Sequence, residues 1–145
     1  MVSAGWSVGP ISSLLLSSHP TSLVDGTQAT QVNHITTHAN LPLLCTAHED
    51  TIIRFMDVGS GKCVHSQVGH VDSVSSLDFS PFGDALASGG HDGSVRVWDV
   101  RTYSCLQDIM AHRRKGDEGV CCVQYHPTLP WLGSSGADSV VKIHS

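Results

Sequence analysis

Three side chains in the middle of the chain, His70, Ser88 and Asp92, have the residue types of a hydrolytic triad. Nucleophilic catalysis needs a base within hydrogen-bond reach of the serine hydroxyl, and a carboxylate that orients that base. The nucleophile must also be exposed, beside donors that stabilise an oxyanion. No G-x-S-x-G turn surrounds Ser88, and the sequence offers no oxyanion donor. A small hydrolase that uses these three residues is therefore the less favoured alternative.

The same residue types recur at a regular spacing along the chain. Asp50, Asp92 and Asp138 lie 42 and 46 residues apart, and each is followed by an alternating, strand-like segment. A hydroxyl side chain precedes each of them by four positions: Thr46, Ser88 and Ser134. Self-similarity at a period of about 20–50 residues indicates a repeat architecture in which each repeat is one supersecondary unit.

Each unit has the pattern of four short strands. The segments are apolar or alternating and rich in β-branched residues, and turn clusters such as "SPFGD" and "HDGS" separate them. Gly69-His70 opens the middle unit and Trp98-Asp99 closes its third strand, so that the unit resembles the WD-repeat blade of a β-propeller. We predict an all-β, partial WD40 β-propeller of about three four-stranded antiparallel blades, the last of which lacks its fourth strand. The predicted blades span about 28–68, 69–110 and 111–145, after a non-homologous leader or linker over 1–27.

The resemblance to WD repeats gives the triad-like residues a structural role. In such blades the His, Ser, Asp and Trp form a buried hydrogen-bonded chain between the loop into the first strand and strands two and three. Here Trp98 would donate to Ser88, and His70 would bridge Ser88 and Asp92, because buried polar groups must be paired. Gln28 and Met56 replace the His and Trp of the first unit, and His144 replaces the Trp of the third. The other predicted members of such tetrads are Thr46, Asp50, His112, Ser134 and Asp138.

Composition excludes several classes of function. The formal net charge of −5 gives no electrostatic reason to expect a nucleic-acid partner. No apolar run reaches the length of a membrane span, and no basic flank marks a secretory signal, so we predict a cytoplasmic protein. Five cysteines without a CxxC pair predict reduced, buried thiols. Cys121 and Cys122 are adjacent on a predicted strand, which favours core and surface positions respectively over a metal site with His126. We expect no cofactor and no catalytic residue.

The most distinctive loop is "AHRRKGDEGV", residues 111–120. It is four residues longer than its counterpart "GHVDSV", and it changes from basic to acidic along its length. A solvated charge run is the default interpretation, yet loops on a rigid scaffold are where binding residues concentrate. The partner-binding candidates at this end of the blades are Glu49, Asp72, His91, Arg113, Arg114 and Lys115.

Longer strings extend the resemblance to a particular family. "HANLPLLCTAHEDTIIRFMD", "GKCVHSQVGHVDSVSSLDFSPFGD" and "YHPTLPWLGSSGADSVVKI" resemble the carboxyl-terminal WD repeats of striatins, over about residues 28–145. The resemblance implies a non-enzymatic scaffold in a complex with protein phosphatase 2A subunits, kinases and adaptors. Another WD-repeat adaptor, such as a ubiquitin-ligase or chromatin subunit, stays the alternative. The coiled coil and the calmodulin-binding and caveolin-binding segments of striatins have no counterpart in this sequence.

The predicted number of blades raises a question about the edges. Propellers close with about 4–8 blades, and closure protects the backbone at their edges. A chain with fewer than three full blades would leave edges open, which predicts a marginally stable chain or self-association through those edges.

Overall fold

The structure, a computed structural model, describes residues 30–145, so the predicted leader over 1–27 and Gln28 lie outside the described residues. Eleven strands and no helix are found in this part of the chain. The strands are β1 Val32–Thr37, β2 Leu43–His48, β3 Ile52–Asp57, β4 Lys62–Val68, β5 Val74–Phe79, β6 Ala85–Gly90, β7 Ser94–Asp99, β8 Cys105–Met110, β9 Val120–Tyr125, β10 Leu132–Gly136 and β11 Val141–His144.

These strands form three antiparallel sheets in chain order. Sheet 1 has the order β1-β2-β3-β4, sheet 2 has β5-β6-β7-β8, and sheet 3 has β9-β10-β11. Every strand pairs with its sequence neighbour, so each sheet is a simple meander. The predicted all-β fold of two four-stranded blades and one with three strands is confirmed.

The turn between the second and third strands has the same construction in all three sheets. The carboxylates of Asp50, Asp92 and Asp138 each accept a hydrogen bond from the backbone N–H two residues on, at 3.2, 2.9 and 3.2 Å. The residue after each aspartate has a positive φ: Thr51 at 75°, Gly93 at 85° and Ser139 at 65°. Aspartate suits this position because its side chain satisfies the backbone of a tight turn.

Hydrophobic cores fill the spaces between neighbouring sheets. Between sheets 1 and 2, Phe55, Leu77 and Trp98 belong to one buried cluster. Between sheets 2 and 3, Val95 and Val123 belong to a second one. Each face of sheet 2 is therefore covered, since alternate side chains of its strands point to opposite neighbours.

A β-bulge interrupts the first strand of every sheet. The unpaired residues are Asn33, Ser75 and Cys121, at matching positions of β1, β5 and β9. An extra residue breaks the alternation of side chains between the two faces. Ser75 and Ser76 at these positions of sheet 2 contact sheet 3, but among residues 30–145 no sheet covers Cys121 and Cys122, which are both exposed. The expected core position of Cys121 was wrong. Cys105 is exposed as well, so buried thiols were a correct expectation only for Cys45.

Candidate functional site

The side chains of the middle repeat converge between β5, β6 and β7. His70 lies in the loop before β5, and its Nε2 is 2.7 Å from Ser88 Oγ on β6. The indole Nε1 of Trp98, on β7, donates to the same hydroxyl at 2.9 Å. On the other side of the ring, Nδ1 of His70 lies 3.1 Å from Asp92 Oδ1. The four side chains form one continuous chain from the loop to the third strand.

Further donors surround the carboxylate of Asp92. The hydroxyl of Ser94 donates to its Oδ1 at 2.7 Å, and the backbone N–H of Val71 donates to its Oδ2 at 3.0 Å. Burial raises the pKa of Asp92, but the hydrogen bonds from His70, Val71 and Ser94 outweigh it and hold the pKa well below its ordinary value. Because a carboxylate only accepts, Nδ1 of His70 donates to Asp92.

Sheet 3 repeats this arrangement with one substitution. His112 Nε2 lies 2.8 Å from Ser134 Oγ, and His112 Nδ1 lies 2.9 Å from Asp138 Oδ1. Nε2 of His144 lies 2.9 Å from Ser134 Oγ, at the position where Trp98 donates in sheet 2. The hydrogen bond from His112 lowers the pKa of Asp138, and burial lowers the pKa of His144. In sheet 3, His144 therefore takes the place that Trp98 has in the hydrogen-bonded set of sheet 2.

Sheet 1 combines the predicted Thr46 and Asp50 with two residues that the repeat alignment did not identify, His48 and Arg54. Thr46 Oγ1 lies 2.7 Å from Nε2 of His48, a histidine at the end of β2 itself. Asp50 accepts two hydrogen bonds from Arg54, at 3.2 and 2.8 Å, and the pKa of Asp50 is lowered by that pairing. Alignment of the three repeats could have identified His48, because a histidine stands there at the position that is glycine in the other two repeats, Gly90 and Gly136.

Glycine at those two positions makes room for the loop histidine. A Cβ on Gly90 would lie 2.5 Å from Nδ1 of His70, and a Cβ on Gly136 would lie 2.5 Å from Nδ1 of His112. A side chain and a loop histidine cannot both occupy this space. In sheet 1 the histidine is His48, which lies at the end of β2 in the position that glycine occupies in sheets 2 and 3.

The middle repeat has triad-like distances without an accessible nucleophile. Ser88 has no exposed surface and His70 is only 1% exposed. Both neighbours of the Ser88 hydroxyl are side chains of the fold, and Trp98 covers it from the third strand. A substrate carbonyl has no path to this oxygen in the folded state, so the arrangement can fix a loop but cannot attack a substrate.

The partner-binding candidates lie together at one end of the sheets, in the loops next to these buried chains. We define the loop rim as Glu49, Asp72, Ser73, His91 and the loop 111–119. Glu49 Oε2 accepts a hydrogen bond from Ser73 Oγ at 2.9 Å, which joins sheets 1 and 2. Arg114 Nη2 donates to Asp72 Oδ2 at 2.9 Å across sheets 2 and 3, with about two-fifths of each side chain exposed.

The long charged loop is anchored at both ends. The backbone N–H of Arg113 donates to Asp138 Oδ2 at 3.1 Å, and Lys115 pairs with Glu118 through backbone hydrogen bonds. The N–H of Gly119 lies 3.3 Å from Nδ1 of His91, so that this half-buried ring supports the loop. The side chains of Arg113 and Lys115 are exposed.

Two further kinds of feature are absent from residues 30–145. No group of three or more His, Cys, Asp or Glu side chains is arranged there to hold a metal ion. No helix long and apolar enough to cross a membrane is found in the same residues.

Comparison with known proteins agrees with this geometry. The family described as "WD domain, G-beta repeat" matches residues 61–99 and 103–145. The chain belongs to the WD-repeat family. The matched residues include all of the strands of sheets 2 and 3, and the chain of hydrogen bonds from loop histidine to serine and aspartate lies at the same place in both.

The curated relatives refine the assignment within the WD-repeat family. Striatin-3 of Rattus norvegicus is 44% identical over 112 residues, which cover 77% of this chain and 14% of the relative. The striatin homolog of Dictyostelium discoideum is 44% identical over 78% of this chain, and Striatin-4 of Homo sapiens is 45% identical over 79%. These matches cover 14% and 15% of those two relatives. The chain thus has a striatin-like WD-repeat region and spans about a seventh of the length of the relatives it matches.

Proposed function

We propose that this chain is a non-enzymatic protein-interaction module whose binding surface is the loop rim. The observation that carries the proposal is the direct bonding of loops from all three sheets into one surface. Glu49 is bonded to Ser73, and Asp72 is paired with Arg114. Loops positioned by a rigid scaffold are the usual place for binding residues. Under this proposal the tetrads of His70, Ser88, Asp92 and Trp98, and their counterparts, hold the loops in place.

The charges of the rim indicate the chemistry of the partner. Arg113 and Lys115 present exposed cations at one end of the loop, and Asp117 and Glu118 present carboxylates two to three positions later. A partner segment with acidic side chains beside Arg113 and Lys115 would complement this surface. Such rim charges affect the rate and specificity of association more than its affinity.

The similarity to striatins supports a more specific partner set. We propose that the chain takes part in a cytoplasmic complex that contains protein phosphatase 2A and kinase subunits. The basis is resemblance over residues in the WD-repeat region, and the coiled coil through which striatins reach the phosphatase lies in a different part of those proteins. We propose that the WD-repeat region contributes to this association through the rim or through an adaptor bound there.

Affinity capture from cells followed by mass spectrometry tests the proposal. The tagged chain is compared with an Arg113→Glu, Lys115→Glu variant, and with Arg101→Glu as the matched control. Arg101 is an exposed arginine in the β7–β8 turn, at the opposite end of sheet 2. We expect the parent chain and the Arg101→Glu control to capture the same partner proteins, and the Arg113→Glu, Lys115→Glu variant to lose them.

The identity of the captured proteins decides between the alternatives. Phosphatase 2A and kinase subunits support the striatin-type complex. Ubiquitin-ligase or chromatin subunits would replace it with a different WD-repeat adaptor, and equal capture by all three chains would remove the rim as the binding surface. A hydrolytic activity that Ser88→Ala abolishes in a stably folded chain would contradict the non-enzymatic proposal.

A further inference from the structure

The long charged loop begins and ends on the β6–β7 turn of sheet 2. At its start, the backbone N–H groups of Ala111 and His112 donate to the carbonyl of Gly93 at 3.1 and 3.0 Å. At its end, the backbone N–H of Gly119 donates to Nδ1 of His91 at 3.3 Å. The loop therefore has two attachments to the same turn, one to a backbone carbonyl and one to an imidazole nitrogen.

Gly119 lies in close contact with that turn. A Cβ at this position would lie 2.6 Å from the backbone nitrogen of Gly93 and 2.7 Å from the carbonyl oxygen of His91, so that only glycine allows this approach. The carbonyl of Gly119 accepts from the backbone N–H of Ala137 at 2.8 Å, in the β10–β11 turn. The end of the loop thus lies where sheets 2 and 3 meet at the rim.

The hydrogen bond from Gly119 exists only while His91 is neutral. A backbone N–H can only donate, so Nδ1 of His91 accepts with its lone pair and the proton of the neutral ring lies on Nε2. An imidazolium has a proton on each nitrogen and no acceptor. Histidine is the side-chain type that ordinarily changes charge between about pH 5 and 8. The ring of His91 is half-buried, so that solvent reaches it.

The attachment at the start of the loop does not depend on a proton. The carbonyl of Gly93 accepts from Ala111 and His112 whatever the charge of the neighbouring side chains. The N–H of Arg113 donates to the carboxylate of Asp138, and the hydrogen bond from His112 lowers the pKa of that carboxyl group. Mild acid should therefore act on the end of the loop and leave its start attached.

Other titratable and charged groups lie on the elements that meet around His91. They are Asp92 on the same turn, His70 and Asp72 in the loop before β5, His112, Arg113, Arg114, Lys115, Asp117 and Glu118 in the charged loop, and Asp138 in the β10–β11 turn. The pKa values of Asp92 and Asp138 are lowered, so both stay charged in mild acid. The rings of His70 and His112 are bonded to serine and aspartate side chains. The group whose titration removes the acceptor of the loop end is therefore His91.

We propose that His91 is a pH-sensitive attachment for the end of the charged loop. With the ring neutral, Gly119 is held on the turn and the loop is ordered at both ends. A proton on Nδ1 replaces the acceptor with a second donor, so that residues 115–119 are released while 111–113 stay attached. The consequence for partner binding rests on the rim proposed above, since a loosened loop must be ordered again when a partner binds. The release itself does not depend on any partner.

Amide hydrogen exchange of the 145-residue chain, followed by NMR at about pH 8 and about pH 5, measures the release. Each rate is expressed as a protection factor, so that the intrinsic pH dependence of exchange cancels. We expect the protection factor of the Gly119 amide to fall about three- to tenfold at the lower pH, which corresponds to the loss of one hydrogen bond. The amides of Ala111 and His112 are the internal reference and should keep their protection.

Two substitutions at His91 separate titration from the presence of the ring. His91→Asn places an amide oxygen near the position of Nδ1, so this variant keeps an acceptor that does not titrate and should protect Gly119 equally at both pH values. His91→Leu offers no acceptor, so its Gly119 amide should have the low protection of the acidified parent at both pH values. His65→Asn, which removes a half-buried histidine from β4 in sheet 1, is the matched control and should respond to pH as the parent does.

Three results would overturn the proposal. One is a parent chain that protects Gly119 equally at both pH values. Another is a His91→Asn chain that loses this protection in acid as the parent does. The third is an equal loss at Ala111 and His112, because the whole loop would then be opening. If the Arg113→Glu, Lys115→Glu variant kept its partners, the rim would be excluded as the binding surface and the release of Gly119 would be unaffected, so the two proposals fail separately.

Discussion

Nε2 of His48 lies 2.7 Å from the hydroxyl of Thr46, the same distance that separates Nε2 of His70 from Ser88 in the next sheet. The two histidines come from different places in the repeat, one from the end of β2 and the other from the loop before β5. A hydroxyl on the second strand is bonded to an imidazole in both. The fold therefore retains the hydrogen bond while the residue that supplies it changes.

The glycine at position 90 should be essential for the loop histidine of sheet 2. In a Gly90→Ala variant the new Cβ would lie 2.5 Å from Nδ1 and 2.6 Å from Cγ of His70, so the ring must move away from Ser88. We expect the free energy of unfolding to fall by about 2–4 kcal/mol, because a packed side chain is displaced and buried polar groups lose partners. Urea unfolding followed by tryptophan fluorescence measures the change.

Gly133→Ala is the matched control for that variant. Gly133 also lies within a strand, but a Cβ there would meet its nearest atoms at 3.7 Å, an ordinary contact distance. We expect a change within about 0.5 kcal/mol. Equal destabilisation by the two substitutions would show that loss of strand glycine, and not displacement of His70, is responsible.

His48 should stabilise sheet 1 although no loop histidine is present there in the described residues. His48 is 8% exposed, and its Nε2 is bonded to Thr46. We expect His48→Ala to lower the free energy of unfolding by about 1–3 kcal/mol, because the substitution removes buried hydrogen bonds and leaves a cavity. His91→Ala, which removes a half-buried ring at the rim, should cost less than His48→Ala in the same urea experiment.

The parts of the structure that the sequence predicted are those determined by repeat position. Alignment of Asp50, Asp92 and Asp138 was sufficient to predict the three sheets, because the same turn and the same alternating strands recur around each aspartate. The role of His48 could not be predicted without the structure. It follows from the space at Gly90 and Gly136, which the rings of His70 and His112 fill in sheets 2 and 3. The side of the sheet on which Cys121 lies depended on a bulge, and a one-residue insertion in a strand leaves no clear mark in composition.

Ser88 should act through stability and not through chemistry. Ser88→Ala leaves Nε2 of His70 and the indole N–H of Trp98 without their shared partner in a site with no exposed surface. We expect a loss of about 1–3 kcal/mol in the free energy of unfolding. Ser104→Ala, which removes an exposed hydroxyl in the β7–β8 turn, is the control and should change stability by less than about 0.5 kcal/mol. A Ser88→Ala chain as stable as the parent would contradict a structural role for the hydroxyl.

The ion pair of the rim should contribute little to folding. Arg114 and Asp72 are bonded at 2.9 Å, with side chains 46% and 39% exposed. Exposed pairs contribute about 0–1 kcal/mol because solvent screens them. We expect Arg114→Ala to leave the unfolding midpoint almost unchanged while it loosens the loop, seen as faster hydrogen exchange of the amides at 115–119. A large loss of stability would show that the loop is part of the folding core.

Asp92 should make the chain sensitive to acid. Burial raises its pKa, but hydrogen bonds from His70, Val71 and Ser94 outweigh this and hold it well below the value of 3.8 for an ordinary aspartate. The folded state thus binds this proton more weakly than the unfolded state, so the stabilisation is present above about pH 3.8 and is lost as the pH falls toward the folded-state pKa. At about pH 3 the loss from this group is roughly 1 kcal/mol.

Urea unfolding at about pH 7 and pH 3 tests the acid sensitivity through the difference between the two free energies. Asp92→Asn removes the titrating group, so the variant is less stable at neutral pH and should lose about 1 kcal/mol less than the parent on acidification. Contributions from other carboxyl groups are common to both chains and cancel in the comparison. Asp117→Asn, at an exposed position of the charged loop, should follow the parent. Equal losses in the parent and in Asp92→Asn would show that His70 and its neighbours do not hold the carboxylate in its charged form.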